Sequence, residues 1–509
     1  MADKRNDAGH DSVVENVDHD RVDAISVGEK GTNSIMKPEP TEPEYSAEEM
    51  NAVRKKIDWR IMPLAAWACG LQFVDKSALG AAATYGLRED IHLKGQEYSW
   101  CVSVFYFGYL AGSFVSGRGL QYFHAGKFIG VAFFVWGATL LGCIGASSFA
   151  SLMALRFLLG LFESCLVPGL LLITTCWYTQ REQPFRFGLW TVLNGFLPVP
   201  FLIIYYVSWQ LIFLLLGALS CVTGVLLYFF MPDSPRNAPW LTDRERAIAI
   251  KRVADDQLGV KDNTFKWDQL REAIADYRVW MIVMQMFFSQ AIGNVTTNFL
   301  GIIIRGFGYS DLTAQLFTAP NFAVQGITQL VVSSLPTFVP WFRTKKQPLT
   351  AIATSIALVG IILLYITPDE QQYQGRRLGA IIIISCSGVN YTVIMSVIGA
   401  NVTGFTKKQL TTSATFFMYC IINIITPQMF IGTESPRYPT GMAFVLAFGS
   451  AFLVLTMTTW LTMRLENARR DKKALTDPAY RPLHLMDGEI VISPEDETDK
   501  QNKRFRYAG

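Results

Sequence analysis

Four ionisable residues other than Tyr, Cys and His lie well inside long apolar stretches of this sequence, where charged side chains are unexpected. Asp75 and Lys76 are adjacent in one stretch, and Arg156 and Glu163 lie seven residues apart in another. Seven residues are close to two helical turns, so Arg156 and Glu163 face the same side of a helix. An isolated charge at the centre of a membrane span costs roughly 2.5–3.5 kcal/mol, so each of the four needs a partner or a watery cavity. Their charges sum to zero, and we expect them to share one cavity.

This set of side chains suits the binding of an anion together with a proton. Lys76 and Arg156 would hold an anionic ligand, Arg156 through a bidentate grip on a carboxylate. Asp75 and Glu163, when partly desolvated, are candidates to carry a coupling proton. The alternative is a pair of structural salt bridges between two helices. Hydrophobic side chains would hold the helices together at a lower desolvation cost, so we disfavour salt bridging as the whole explanation.

Further polar residues in the apolar stretches are candidates to complete a ligand cavity. Each of them alone is more often an interhelical hydrogen bond, which contributes about 0.6 kcal/mol on average. We therefore expect only part of the set to touch a ligand. The set consists of Asn194, Asn294, Asn298, Asn321, Gln325, Asn390, Tyr391, Tyr419 and Asn423.

Twelve apolar stretches are long enough to position these residues as membrane-spanning helices, which need about 20 residues each. Six precede a central hydrophilic segment, at about 61–84, 98–117, 128–147, 151–177, 186–206 and 209–231. Six follow it, at about 279–304, 312–335, 348–366, 378–402, 409–431 and 440–463. The sequence therefore predicts an all-α integral membrane protein of twelve transmembrane helices in two six-helix bundles, the organisation of two-bundle secondary transporters.

The distribution of charge supports this assignment. Charged residues form 17% of the 509-residue chain, against about 25% in typical soluble proteins. Of the 87 charged residues, 60 lie in residues 1–60, 232–278 and 464–509. A net charge of only +3 does not indicate a nucleic-acid binder. The chain divides into a disordered tail (1–53), a first bundle (54–231), a linker (232–278), a second bundle (279–463) and a C-terminal tail (464–509).

The basic residues of the loops predict the orientation. With the N-terminus in the cytosol, the short inside loops and the flank of the first helix hold thirteen Lys and Arg, and the outside loops hold six. By the positive-inside rule, both termini and the linker are cytosolic. The expected location is the plasma membrane. Within the linker, Thr242 is an N-cap signal for one helix, and a second helix is expected around Trp267–Tyr277.

No motif of an enzyme, pump or metal site is present in the sequence. It contains no P-loop, no HExxH and no CxxC, and its five histidines have no metal-ligand spacing. We expect no enzymatic activity, cofactor or metal. The expected partners are a small organic anion, protons and the lipid bilayer, and we expect a monomer. All eight cysteines lie in predicted spans, where they serve as small apolar residues.

Several strings resemble fungal members of the major facilitator superfamily, in the anion:cation symporter family and most closely its allantoate permease branch. The resemblance covers roughly residues 55–475. It is carried by Phe73-Val74-Asp75-Lys76-Ser77-Ala78-Leu79, Phe105-Tyr106-Phe107-Gly108-Tyr109-Leu110, Arg156-Phe157-Leu158-Leu159-Gly160-Leu161-Phe162-Glu163, Met231-Pro232-Asp233-Ser234-Pro235 and Asn423-Ile424-Ile425-Thr426-Pro427-Gln428. Tyr106, in the second string, is a further candidate substrate-binding residue.

The resemblance implies the major facilitator fold and uptake of an organic anion together with protons. It assigns proton coupling to Asp75 and Glu163, and carboxylate binding to Lys76 and Arg156. Lys76 replaces the Arg common in the wider family. The fifth and sixth helices are joined by little more than Val207-Ser208, where relatives have a longer connection. The alternatives are a non-transporting nutrient sensor on the same scaffold, or a transporter of a small peptide or sulfur amino acid.

Overall fold

The computed structural model of the protein describes residues 45–179, 182–200, 208–257, 266–342, 345–368, 370–435, 437–480 and 497–508. These ranges form α-helices, short 3-10 helices, one π-helical segment and turns, and they include no β-strand. The all-α prediction is therefore confirmed for this part of the chain. Most of the predicted disordered tail, residues 201–206 at the end of the predicted fifth span, and Val207 of the short connection lie outside the described residues.

Six long helices form in the described residues of the first half of the chain. They are α1 Ala47–Thr84, α2 Glu97–Tyr122, α3 Ala125–Gly142, α4 Phe149–Trp177, α5 Gln183–Phe196 and α6 Trp209–Phe230. A capping box between Ser46 and Glu49 starts α1. A turn at Ser164 interrupts α4. The interruption lies four residues before Pro168, whose ring removes the hydrogen bond to the Ser164 carbonyl.

In the part of the linker that the structure describes, two shorter helices form, as the sequence predicts. They are α7 Asp243–Gln257 and α8 Trp267–Ala275. Thr242 and Glu245 form a capping box at the start of α7: the Glu245 amide donates to Thr242 Oγ1 at 3.3 Å, and the Thr242 amide donates to Glu245 Oε2 at 2.9 Å. Lys56 of α1 pairs with Glu245 at 2.7 Å, which holds α7 against the first half.

Among the residues described after the linker, six long helices form. They are α9 Tyr277–Arg305, α10 Ala319–Phe338, α11 Lys346–Ile366, α12 Gln371–Asn401, α13 Phe405–Met429 and α14 Pro439–Ala474. A π-helical segment, Val295–Phe299, interrupts α9. Such segments are rare and occur frequently at functional sites. The helix α14 continues past the end of its predicted span at residue 463.

Nine helices in the described ranges are long and apolar enough to cross a membrane, namely α2, α3, α4, α6, α9, α11, α12, α13 and α14. Because α1, α5 and α10 are not among them, the count of twelve spans remains a prediction. We call the end of the helices that carries α7 and α8 the linker end, and the opposite end the far end.

Glycines allow unusually close packing between α2 and α4. A Cβ built on Gly108 would lie 2.0 Å from the Phe157 backbone oxygen, and one on Gly112 would lie 2.2 Å from that of Leu161. Gly160 of α4 has the reciprocal constraint, at 1.9 Å from the Phe105 backbone oxygen. Because these glycines carry no side chain, the backbones of α2 and α4 can approach this closely.

The two halves of the chain contact each other directly. α2 packs against α13, and α5 packs against α10. Toward the far end, the Tyr98 hydroxyl of α2 donates to the backbone oxygen of Asn298 in the π-helical segment at 2.8 Å. Ser103 Oγ donates to the Ile424 backbone oxygen at 2.8 Å and accepts from Gln428 Nε2 at 2.9 Å. Residues on α1, α2 and α4 are thereby brought beside α9 and α13.

Candidate functional site

The four intramembrane charges lie on the buried faces of α1 and α4. Asp75, Arg156 and Glu163 are each at most 2% exposed, and the Lys76 side chain is 16% exposed. The seven-residue spacing places Arg156 and Glu163 on one face of α4, as predicted. Three of the four side chains are thus almost fully buried and Lys76 is largely so, which makes their interactions with one another strong.

Lys76 and Glu163 form a direct ion pair between α1 and α4. Lys76 Nζ lies 3.0 Å from Glu163 Oε1, and Gln72 Nε2 donates to the same oxygen at 2.8 Å. Glu163 Oε2 has no hydrogen-bond partner, although it is buried. The carboxylate is therefore half satisfied: one oxygen is held by α1, and the other remains available to a proton or a ligand.

Asp75 and Arg156 are buried near each other without direct contact. Both oxygens of Asp75 and two nitrogens of Arg156, Nε and Nη2, have no hydrogen-bond partner. Arg156 and Glu163 lie within electrostatic range of Asp75. No ion pair within 4 Å joins Asp75 to Arg156 in the described ranges. Because a buried polar atom without a partner costs free energy, this arrangement favours a guest that completes it.

Aromatic side chains from both halves surround Lys76. Its Nζ lies 5.3 Å from the ring centroid of Tyr109 and 6.0 Å from that of Tyr419. Tyr106 and Tyr391 each lie 5.9 Å from the Tyr419 ring, edge to face. We call these four tyrosines the aromatic cage. It draws on α2, α12 and α13. Within it, Tyr109 and Tyr419 stabilise the ammonium group through their electron-rich ring faces.

Three of the predicted asparagines form a cluster beside the aromatic cage. Asn294 Nδ2 donates to Asn423 Oδ1 at 3.0 Å, and Asn298 Nδ2 donates to the Asn294 backbone oxygen at 3.4 Å. Asn423 Nδ2 in turn donates to the backbone oxygen of Tyr419 at 2.7 Å. The cluster connects the π-helical segment of α9 to the cage residue Tyr419.

The other three predicted asparagines do not contact Lys76 or Glu163 in the described structure. Asn321 Nδ2 donates to the Ile381 backbone oxygen at 3.1 Å, and Asn390 Oδ1 accepts from Thr354 Oγ1 at 3.2 Å. Asn194 is half-buried, and its Oδ1 has no partner. Asn321 and Asn390 thus form interhelical hydrogen bonds, and a substrate role for each remains a prediction.

Two residues that contact the site were not singled out from the sequence. Gln72 binds Glu163, and Tyr109 lies beside Lys76. Their spacing was a usable signal: Gln72 precedes Lys76 by four residues, and Tyr109 follows Tyr106 by three, so each shares a helix face with a residue that was identified.

Comparison with known proteins identifies the family. The sequence profile of the Major Facilitator Superfamily matches residues 65–427. An uncharacterised transporter of Schizosaccharomyces pombe is 33% identical over 476 residues, which cover 91% of this chain and 87% of the relative. The allantoate permease of Saccharomyces cerevisiae is 29% identical over 493 residues, which cover 92% and 88% of the two chains.

The fold is also found among solved structures. A partially occluded, inward-open structure of the xylose transporter of E. coli superposes with a TM-score of 0.59 at 15% identity, covering 79% of this chain and 97% of that one. The resemblance noted in the sequence is confirmed, and the nine apolar helices agree with a protein that crosses the membrane several times. The chain belongs to the major facilitator superfamily and is a multi-pass membrane transporter.

Proposed function

We propose that this transporter imports a small organic anion together with protons, by alternating access of two six-helix bundles, α1–α6 and α9–α14. The substrate is a carboxylate of the allantoate type or a vitamin. The linker and both termini lie in the cytosol, and the protein resides in the plasma membrane. One observation carries the proposal: Lys76 and Glu163 form a buried ion pair with one free carboxylate oxygen, beside tyrosines from both halves.

The ion pair suggests how an anion and a proton are coupled. A substrate carboxylate that binds Lys76 competes with Glu163 for the same ammonium group. A buried carboxylate that loses its cation must acquire a proton, because an unpaired buried charge is costly. Substrate binding at Lys76 and protonation of Glu163 therefore favour each other, which is the linkage that a symporter requires.

Arg156 and Asp75 supply a second cation and a second acid close to the pair. Arg156 has two donor nitrogens without partners, and a second substrate oxygen would satisfy them in the bidentate geometry that guanidinium favours. Asp75, whose two oxygens have no partner, is the other candidate proton carrier. The similarity to allantoate permease supports a carboxylate of that type as the substrate.

The test is Glu163→Gln in proteoliposomes with an imposed proton gradient and radiolabelled allantoate, with nicotinate as a second substrate. Gln keeps the size of the side chain but cannot carry the proton. We expect uphill accumulation to be abolished while exchange of internal for external substrate persists. Glu48→Gln, at an exposed position at the start of α1, is the matched control and should accumulate substrate like the wild type.

Two outcomes would contradict the proposal. If Glu163→Gln still accumulates substrate against its gradient, Glu163 does not carry the coupling proton. If the wild type binds these anions but moves none of them across the membrane, the chain acts as a sensor and not as a transporter.

A further inference from the structure

Residues 497–508, which we call the C-terminal segment, lie against the linker end of the second half. The residues that receive them belong to four different helices. We call these residues, Arg278 of α9, Asn401 of α12, Lys407 of α13, and Asn467 and Arg470 of α14, the docking face. All but Asn467 are at most 9% exposed. The docking face is therefore largely buried in the folded protein, and it is occupied by a segment of this same chain.

Two asparagines of the docking face bind the backbone of the segment reciprocally. Asn467 Oδ1 accepts from the Tyr507 amide at 2.8 Å, and Asn467 Nδ2 donates to the Tyr507 carbonyl at 2.8 Å. Asn401 makes the same pair of bonds with Ala508, at 2.7 and 2.8 Å. A carboxamide offers one acceptor and one donor side by side, which matches the amide and carbonyl of one extended residue. This geometry is specific recognition of a peptide.

The Tyr507 side chain anchors the segment. It is 4% exposed, and it packs in the apolar cluster that includes Ile282 and Met463. Its hydroxyl accepts from Arg278 Nη1 at 2.7 Å and donates to Asp499 Oδ2 at 2.7 Å. Burial, reinforced by the neighbouring Asp499 carboxylate, raises the pKa of the Tyr507 phenol, so the hydroxyl keeps the proton that it donates.

Asp499 joins the segment to Lys407 and to linker helix α8. Lys407 Nζ lies 2.7 Å from Asp499 Oδ1 and 2.8 Å from both Glu272 Oε1 and Asp276 Oδ2. Three carboxylates could otherwise suit a metal ion, but the ammonium group occupies the centre of this set. Although burial opposes it, the hydrogen bond and charge of Lys407 lower the pKa of Asp276. Asp276 therefore remains ionised, and Lys407 links α13, α8 and the segment.

The buried cations of the docking face do not depend on the segment for neutralisation. If the segment leaves, Lys407 keeps Glu272 and Asp276. Arg278 keeps Glu466 at 3.4 Å, and Arg470 keeps the same carboxylate at 3.1 Å. Removing one partner of a buried ion pair is costly only when the remaining charge has no other partner. Undocking therefore leaves no unpaired buried cation, and the contact is reversible in a way that a core contact is not.

We propose that the docking face is a peptide-binding site for the C-terminal segment, and that docking acts as a latch that slows the transport cycle. The segment bridges the linker ends of α9, α12, α13 and α14 and fastens α8 to them. The hydrogen bonds that we describe between α2 and α9 or α13 lie toward the far end. For the latch to act, the linker ends of α12 and α13 move relative to α9 and α14 during the transport cycle. A segment tied to all four helices opposes that movement. The effect on transport rests on the proposed function.

The experiment compares full-length protein in lipid nanodiscs and proteoliposomes with a variant lacking residues 497–509. Hydrogen exchange is measured over residues 390–412, the linker ends of α12 and α13. Uptake is measured with radiolabelled allantoate. A synthetic peptide of residues 497–509 is then added to the truncated protein on the linker side. We expect truncation to increase exchange and uptake about threefold to tenfold, since a few net hydrogen bonds are lost, and the peptide to reverse both changes.

Point variants separate the latch from a loss of folding. Tyr507→Ala should behave like the truncation, and a peptide carrying the same change should fail to reverse it. Arg504→Ala is the matched control in the segment, because its side chain is exposed and makes no described hydrogen bond or ion pair. It should leave exchange and uptake at wild-type values. Asn401→Ala with Asn467→Ala should release the segment while Tyr507 is retained.

Each outcome decides the question. If truncation leaves exchange over residues 390–412 unchanged, the latch is wrong, whatever the uptake. If truncation lowers uptake and the peptide does not restore it, the segment is a structural support and the proposal fails. If no variant transports allantoate, allantoate is not the substrate. In that case, increased exchange on truncation and its reversal by the peptide would still establish docking of the segment, and the effect on transport would be contradicted for this substrate.

Discussion

Replacement of Gly108 by alanine tests whether the close approach of α2 and α4 sets the geometry of the candidate site. The new Cβ would lie 2.0 Å from the Phe157 backbone oxygen, whereas real Cβ contacts essentially never fall below 3.0 Å. The two helices must therefore separate by about 1 Å, since a backbone oxygen cannot turn away as a flexible side chain does. This displacement moves Tyr106 and Tyr109 on α2 relative to Glu163 on α4.

The magnitude follows from two opposing contributions. Overpacking a well-packed interface costs about 1–3 kcal/mol, and contact with a rigid backbone places this position at the upper end. Alanine gains about 1 kcal/mol over glycine in helix propensity. The net loss for Gly108→Ala is therefore about 2 kcal/mol. In Gly117→Ala, on the same helix, the Cβ meets no atom within 4 Å, so that variant should gain up to about 1 kcal/mol.

Thermal unfolding in detergent, followed by tryptophan fluorescence, should rank Gly117→Ala at or above the wild type and Gly108→Ala clearly below it. Substrate affinity should fall in Gly108→Ala and stay at the wild-type value in Gly117→Ala. Gly160→Ala, whose Cβ would lie 1.9 Å from the Phe105 backbone oxygen, forces the same separation. Its effect should therefore add less than fully to that of Gly108→Ala. Wild-type stability in Gly108→Ala, or full additivity in the double variant, would refute this reasoning.

Three further predictions concern other parts of the structure. Arg156→Ala should weaken carboxylate binding about 10- to 150-fold, because a hydrogen bond to a charged group contributes about 1.5–3 kcal/mol. Unchanged affinity in a binding assay would contradict a role of Arg156 in holding the substrate. Thr242→Ala removes half of a capping box and should destabilise α7 by about 1 kcal/mol. Hydrogen exchange over residues 243–257 should become faster, and exchange over residues 267–275 is the internal control. Tyr98→Phe removes the hydrogen bond from the Tyr98 hydroxyl to Asn298 and should destabilise the far-end contact by about 0.5–1.5 kcal/mol. Hydrogen exchange over residues 97–103 should therefore become faster. If exchange in the variant equals that of the wild type, this hydrogen bond does not hold the two halves together.

The helices and their ends were largely predictable from the sequence. A span of about 20 apolar residues and an N-cap such as Thr242 are local patterns, and both are satisfied within one helix. The four intramembrane charges were also identifiable, because a charge in an apolar stretch stands out from its neighbours. Which of the four charges pair with one another could not be predicted from the sequence. Lys76 binds Glu163 directly, whereas Asp75 and Arg156 remain without direct contact, and this depends on side-chain direction and helix separation.

The sequence by itself determined which segments are helical and which residues carry charge into the apolar interior, because helix formation and apolar length are properties of consecutive residues. Only the tertiary structure decided what those residues meet. Lys76 lies beside Tyr419, and Lys407 binds Asp499, at sequence separations that no helical period connects. Lys407 reads in the sequence as one of many basic residues that mark an inside loop. In the folded chain it is a buried link between α13, α8 and the C-terminal segment, because burial makes a cation bind nearby carboxylates that solvent would otherwise screen.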